Sequence, residues 1–344
     1  MAQSNRKKKP DVSKPGFFNN LYKKAPDVVT TSVEKELPKA KVIHNKASTL
    51  VKSCMEDVIL GNAINEQALK ENVSETVESI LRNPDAMMWL TRLSHKDDHS
   101  SKHSINTCIL SVTFGRFIGV PNDELEKLSI AALMHDIGKL QVPTEILNKP
   151  GELNDAEMAL VRKHPTHSRN LLMSAGRYFA SAVDVAYSHH ERMDGTGYPR
   201  GLSAHQISPF ARIIALIDTY DSMTSEQVYR AELSPFESLK FLNANKGTKY
   251  DEQLTKWFIK LIGVFPVGSV VELTNKQIGI VITSNREDNL RPKVLVMLDQ
   301  NKMPIERSTM NLARNSIDAL GRPIKIARTL RKGDYGINQQ ELVA

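Results

Sequence analysis

Cysteine is nearly absent: Cys54 and Cys108 are the only two in 344 residues. That excludes a disulfide framework and a four-thiolate zinc site, and it fits a reducing cytoplasm. No apolar run approaches the roughly eighteen residues that a membrane-spanning helix needs. The start, MAQSNRKKKPDVSKPG, has the positive charge of a secretion signal but lacks the apolar segment that must follow it. These absences predict a cytoplasmic protein with no membrane span. Aromatic residues make up only 6% of the chain, and nothing forms a stacking platform or recognition helix for a nucleic-acid polymer. The net charge of +7 gathers in Arg6, Lys7, Lys8 and Lys9 and towards the C-terminus, which reads as solvated surface. A positive field of this kind also steers a small polyanion towards a cleft.

The chain does carry helical periodicity over most of its length. Residues 1–35 are polar, basic and proline-containing, and are expected to form a flexible leader. Over 36–93, Val42, Ala47, Leu50, Val51, Cys54 and Val58 recur at three-to-four spacing, as do Leu69, Val73, Val77, Ile80 and Leu81. Asn83-Pro84 breaks the second of these helices. Further helices are expected over 97–118 and from Asp123 to Met134, with Gly138 as a C-cap, then from Asn154 or Asp155 to a stop at Pro165. Others follow at 168–175, 181–190, 209–224, 234–244 and 251–261. After Pro266 the texture changes: 269–273, 279–283 and 293–298 are β-branched between Asn and Gly turns, and 324–327 adds a candidate strand. The expectation is a mainly α protein: N-terminal helices at 36–93, a catalytic body at 94–265 and a small β-rich C-terminal extension at 266–344.

Histidine is scarce but crowded. Nine of the ten histidines lie between His95 and His205. His103, His135-Asp136, His164, His189-His190 and Asp218 fall on or at the ends of different expected helices. A bundle that aims one or two ligands inward from each helix builds a dinuclear metal centre. Adjacent residues on a helix point about 100° apart, so the members of a pair serve different cations most easily. A carboxylate such as Asp136 has two oxygens and can bridge. His95, His167 and His205 read better as caps or partly buried residues, and His164 taken alone fits either role. His135-Asp136 and His189-His190 do not, because ionisable groups seldom end apolar helix stripes without a partner.

The strings HS at 103–104, HDIGK at 135–139, HP at 164–165, HHERMDGTGYP at 189–199 and IALIDTYDSMTS at 214–225 resemble the HD-GYP branch of the HD phosphohydrolases. Their order and separations match over roughly residues 90–285, and the extended HHE…DGxGYP string is far more specific than HD alone. The resemblance implies an HD-type helical bundle that hydrolyses cyclic di-GMP to pGpG, with GMP as a further product in several relatives. It implies two divalent metal ions, iron or manganese, held by His103, His135, Asp136, His164, His189, His190 and Asp218, with Asp221 the alternative for the last place. His135, Asp136 and Lys139 are the expected catalytic residues, and Lys139 ends in a compact cation suited to a phosphate oxygen. Gly195, Gly197, Tyr198 and Arg230 are expected to bind substrate, the glycines by letting amides approach a ligand and Tyr198 by stacking on a base. In the family this loop is also linked to docking diguanylate cyclase (GGDEF) partners.

Three positions depart from the family pattern. His99 stands four residues before the first ligand, where a third metal, a supporting role or solvent exposure all remain open. Gln227 in 227-QVYR-230 replaces an arginine expected near substrate. Tyr250-Asp251-Glu252 replaces F-D-P, read as a packing change. Two rival readings follow: an HD hydrolase of another nucleotide, and a non-catalytic cyclic di-GMP receptor, which Gln227 keeps alive. The 36–93 helices are expected to pack on the catalytic body or to mediate a homodimer.

Overall fold

The computed structural model describes residues 28–92, 99–176, 179–225, 232–285, 287–314, 316–318, 320–331 and 333–337. Most of the expected basic leader, His95, Gln227 and Arg230 lie outside these residues.

Two long N-terminal helices form where the three-to-four spacing places them. α1 (Val33–Leu60) buries Ala40, Ile43, Ala47, Val51 and Cys54 along one stripe. It ends at Gly61, whose left-handed φ of 73° lets the terminal amides turn back to Asp57 and Val58 carbonyls. α2 (Glu66–Arg82) starts on Asn65, whose side chain accepts from the Ala68 amide at 3.0 Å. The two are joined by a fully buried carboxylate: Glu36 accepts from Ser79 Oγ at 2.8 Å and from Arg82 at 3.0 and 2.8 Å. Pro84 sits in the first turn of α3 (Pro84–Leu90), where its missing N–H costs no hydrogen bond, and every residue of α3 is buried.

The central pair is α4 (His99–Phe117) and α5 (Asn122–Met134). Ser104 to Phe117 are all buried, so α4 is covered on every side rather than amphipathic. A short 3-10 turn (Ile137–Gln141) leads to α6 (Thr144–Leu147) and α7 (Asp155–Val161), which opens with an Asn154–Glu157 capping box. Pro165 was expected to stop this helix. Instead α7 ends at Val161, and α8 (His164–Ser174) begins with Pro165 in its first turn. His164 therefore stands at a helix N-terminus. α9 (Ala180–Ser188), α10 (Pro209–Thr224), α11 (Pro235–Ala244) and α12 (Glu252–Ile262) complete the body. Phe258 of α12 meets Phe114 of α4 and Tyr220 of α10 edge-to-face, with centroids 5.4 and 5.1 Å apart, which fixes the height of α10 on α4.

The C-terminal segment is a five-stranded antiparallel sheet, in order β4-β3-β2-β1-β5: β1 (Val270–Leu273), β2 (Ile278–Thr283), β3 (Lys293–Leu298), β4 (Pro304–Asn311) and β5 (Ile326–Thr329). Its side chains alternate between two cores. Val270, Ile278, Ile280, Ile282 and Leu298 join the core of the helical body, while Val271, Leu273, Val281, Val294 and Val296 pack with Leu312 and Ile324 into a second, smaller one. β4 has no counterpart among the expected strands because it is an edge strand, mostly exposed and reading PIERSTMN without apolar alternation. β5 lies two residues beyond the expected 324–327.

Asp85 marks the junction of sheet and body. It is buried at the start of α3, with Ser284 Oγ, just past β2, 3.3 Å from its carboxylate. Burial pushes its pKa up to about 7, against the opposing pull of Ser284 and Arg116. Between pH 4 and 7 the folded chain therefore holds a proton at Asp85 that the unfolded chain has lost. This component of stability is full below pH 4 and is lost as pH rises through 7. Asp85→Asn should gain on the wild type by roughly 2 kcal/mol between pH 5 and pH 8 in urea unfolding. An unchanged difference between the two proteins at both pH values would show that Asp85 is ionised in the fold.

Candidate metal centre

Five elements deliver the crowded histidines to one place. α4 carries His103. α5 ends at Met134, and His135-Asp136 follow at the turn into the 3-10 segment. α8 opens with His164; α9 ends at Ser188, just before His189-His190; and α10 carries Asp218 and Asp221. The α5 end can lie against α8 because of Gly138. A Cβ there would be 2.3 Å from both the His164 carbonyl oxygen and the Ser168 amide nitrogen. Its own amide donates to Ser168 Oγ at 2.8 Å. Gly138 is thus a site of close backbone approach, not the left-handed C-cap expected from the sequence.

The donors fall into two groups that share one residue: Asp136, His164, His189 and His190, and His103, His135, Asp136 and Asp218. The two oxygens of Asp136 divide between them. Oδ1 is 3.2 Å from His164 Nε2 and 3.5 Å from His189 Nε2, while Oδ2 is 3.3 Å from His135 Nε2 and 3.6 Å from His103 Nε2. Asp218 Oδ1 closes the second group, 3.0 Å from His103 Nε2 and 3.8 Å from His135 Nε2.

The outer nitrogens decide which ring atom faces the donor groups. His135 Nδ1–H donates to the Ala132 carbonyl at 2.7 Å, His164 Nδ1–H to Val161 at 2.7 Å, and His189 Nδ1–H to Ala186 at 3.0 Å. With Nδ1–H engaged behind each ring, the inward Nε2 is the atom left to offer a lone pair to a cation. Lone pairs then face one another, with His164 Nε2 3.3 Å from His189 Nε2 and 3.1 Å from His190 Nε2. His135 Nε2 and Asp136 Oδ1 are buried without a hydrogen-bond partner among the described residues. Converging nitrogen lone pairs and an unsatisfied buried carboxylate oxygen are costly alone and are satisfied by divalent cations. The donor set fits such ions.

The charges agree. Burial opposes ionisation of Asp136, yet His135 and Lys139 hold its carboxyl well below the usual carboxylate range. Burial likewise opposes charge on Asp218, and His103 and His135 hold it down. Burial lowers His189 to about 4, and it lowers His190 well below the ordinary value with help from His189, so both rings are neutral donors. His103 is buried too, but Asp218 and Asp221 push its pKa up to about 10. Burial drives the thiols of Cys54 and Cys108 up to about 11 and about 12, and neither belongs to either donor group.

All seven expected ligands therefore meet. Asp221, the alternative to Asp218, stands behind His103 instead: its Oδ2 is 2.7 Å from His103 Nδ1, and its Oδ1 accepts from Asn106 Nδ2 at 3.0 Å. Asn106 was not among the expected residues; its position one helical turn after His103 was the signal. Lys139 Nζ is ion-paired with Asp136 and its side chain is 31% exposed, at the edge of a cleft of about 1960 Å³. His99 opens α4, but its side chain lies outside the described residues. His205, expected as a cap or partly buried residue, is instead exposed, with Ser203 Oγ 3.1 Å from its Nδ1. Tyr250 is buried, with its hydroxyl on Thr219 Oγ1 at 3.0 Å, and Asp251 caps α12 and pairs with Arg212 at 3.1 Å. The F-D-P departure is thus a packing feature.

The loop after His190 is held from inside by Glu191. Its buried carboxylate accepts from the amides of Arg200 at 2.8 Å and Leu202 at 2.9 Å. A Cβ on Gly197 would be 2.4 Å from Arg192 N and Glu191 Cα. Gly195 has φ +78° and its amide bonds the Arg192 carbonyl at 2.9 Å. Both glycines serve the loop's own closure, and neither is among the residues lining the cleft, whereas Tyr198 is.

The HD domain family model matches residues 89–254. Cyclic di-GMP phosphodiesterase PA4108 of Pseudomonas aeruginosa is 36% identical over 290 residues, covering 84% of this chain and 70% of that protein. The chain belongs to the HD-GYP family. A second relative, 3'3'-cGAMP-specific phosphodiesterase 3 of Vibrio cholerae, is 33% identical over 50% of this chain, which spans only 37% of its length. Among solved structures, Bd1817, an HDG"Y"P protein of Bdellovibrio bacteriovorus, shares the fold with a TM-score of 0.54 at 19% identity, covering 68% of this chain and 73% of its own. Among the described residues, no helix is long and apolar enough to cross a membrane.

The shared carboxylate makes a sharp prediction. In protein loaded with manganese, Asp136→Ala should lose most of the bound metal, while His103→Ala should keep about half. Elemental analysis of the purified proteins checks this, and equal losses in the two variants would contradict a bridging Asp136.

Proposed function

We propose that this chain is a metal-dependent phosphodiesterase that hydrolyses cyclic di-GMP to pGpG, and on to GMP, in the cytoplasm. The observation that carries the reading is the pair of donor groups sharing Asp136 at a cleft edged by Lys139. A relative matched over 84% of this chain is named as a phosphodiesterase for that substrate.

Nitrogen and carboxylate donors without thiolate are consistent with iron, manganese or zinc, and the family resemblance favours iron or manganese, at two ions per chain. When bound, such ions lower the pKa of water and offset charge on phosphoryl oxygens. The chain's own part is to prepare their places. Asp136 and Asp218 stay ionised and supply negative charge, and His135, His164 and His189 present Nε2 because backbone carbonyls hold Nδ1–H. Lys139 brings a flexible cation to a phosphate oxygen. Arg230, expected to bind phosphate, belongs to this proposal on its sequence position alone.

Metal-loaded protein should convert cyclic di-GMP to linear product on nucleotide chromatography, and chelation should stop it. The double variant His135→Ala/Asp136→Ala should be inactive, and wild-type turnover by it would refute the assignment. Lys139→Ala should keep its metal and lose about 100-fold in turnover, since its role is charge stabilisation. Because one relative is named for 3'3'-cGAMP, the panel includes that nucleotide, and faster cleavage of it would reassign the substrate. Tight binding of cyclic di-GMP without product over hours would make the chain a receptor.

A further inference from the structure

Four of the five clustered imidazoles are fixed from behind through Nδ1, three by backbone carbonyls and His103 by Asp221. His190 is the exception. Among the described residues its ring makes a single hydrogen-bond-range contact, from Nε2 to His164 Nε2. It is also the least buried of the group that it shares with Asp136, His164 and His189. What holds its plane is a ring: Tyr198 stacks on His190 with centroids 4.7 Å apart and planes 20° apart. The Tyr198 amide donates back to the His190 carbonyl at 3.3 Å. The Arg162 guanidinium lies over the Tyr198 ring, 5.4 Å from its centroid.

The stack is braced. The loop that carries Tyr198 is tied down by the Glu191 carboxylate on two amides and by Gly197 packed onto the Glu191 backbone. Glu191 follows His190 directly, so the residue next to the ligand anchors the strap that returns to cover it.

We propose that Tyr198 is the positioning residue for His190: it replaces the missing Nδ1 anchor and aims Nε2 into the donor group, rather than offering a platform to a nucleobase. The inference rests on the metal reading above and not on the identity of the substrate. An offset or parallel stack restricts ring rotation as a hydrogen bond would, and losing such outer support costs metal affinity about 10–100-fold.

The test uses manganese alone. Metal-free full-length protein is titrated with Mn²⁺, and the affinity and stoichiometry are read by electron paramagnetic resonance. Tyr198→Phe, which keeps the ring, should match the wild type. Tyr198→Leu should weaken one of the two sites about 10–100-fold while leaving the other unchanged. In a His190→Ala background, Tyr198→Leu should have no further effect. Should the Leu variant not fold, Tyr198→Met serves in its place.

Wild-type Mn²⁺ binding by the variant without a ring, or full additivity with His190→Ala, overturns the inference. A raised KM for cyclic dinucleotide with unchanged metal binding does the same and assigns Tyr198 to the substrate. A wild type that binds no Mn²⁺ overturns the metal centre itself, whereas one that binds it and cleaves no cyclic dinucleotide refutes only the proposed activity.

Discussion

One buried carboxylate organises this molecule. Asp136 directs Oδ1 to His164 and His189 and Oδ2 to His103 and His135. A single residue thereby joins ligands from His103 to His189, segments spread over more than eighty positions of chain. Burial of so many titratable groups is unfavourable unless their charges and lone pairs are answered. The ionised Asp136 and Asp218, the neutral His189 and His190, and the outward-anchored Nδ1 atoms form one consistent set, and that set is what the surrounding helices serve.

The helices act as a rigid frame. α4 is covered on all sides, α5 and α8 approach to backbone contact at Gly138, and α10 is held on α4 by the Phe114–Phe258–Tyr220 rings. Each ligand sits within a few residues of a helix end or on a buried helix face. Small displacements of these elements would therefore be felt at the donor atoms, since close-packed interiors transmit strain. The sheet takes part through Ile278, Ile280 and Ile282, which lie in the same core as the helices.

The loop after His190 shows how motif letters can be right for an unexpected reason. Its glycines suggest amides turned to a ligand, but Gly197 is required by contact with Glu191, and Tyr198 spends a ring face on His190. Pro165 misleads similarly. A proline following a helical stretch reads as a stop, yet within a first turn it begins a helix, and here that puts His164 where its ring can turn inward.

The sequence by itself determined the helical body, because three-to-four apolar spacing leaves few other ways to bury those side chains. It also determined which residues could hold metal, because scarce imidazoles and carboxylates at helix ends have little other use. It did not contain β4, an edge strand whose polar face carries no burial pattern. Only the tertiary structure decided between Asp218 and Asp221, which lie on one helix three residues apart: the first meets the donor group and the second backs His103. It alone also gave Asp136 to both groups. Such choices depend on distances between segments remote in the chain, and one-dimensional spacing does not encode those distances.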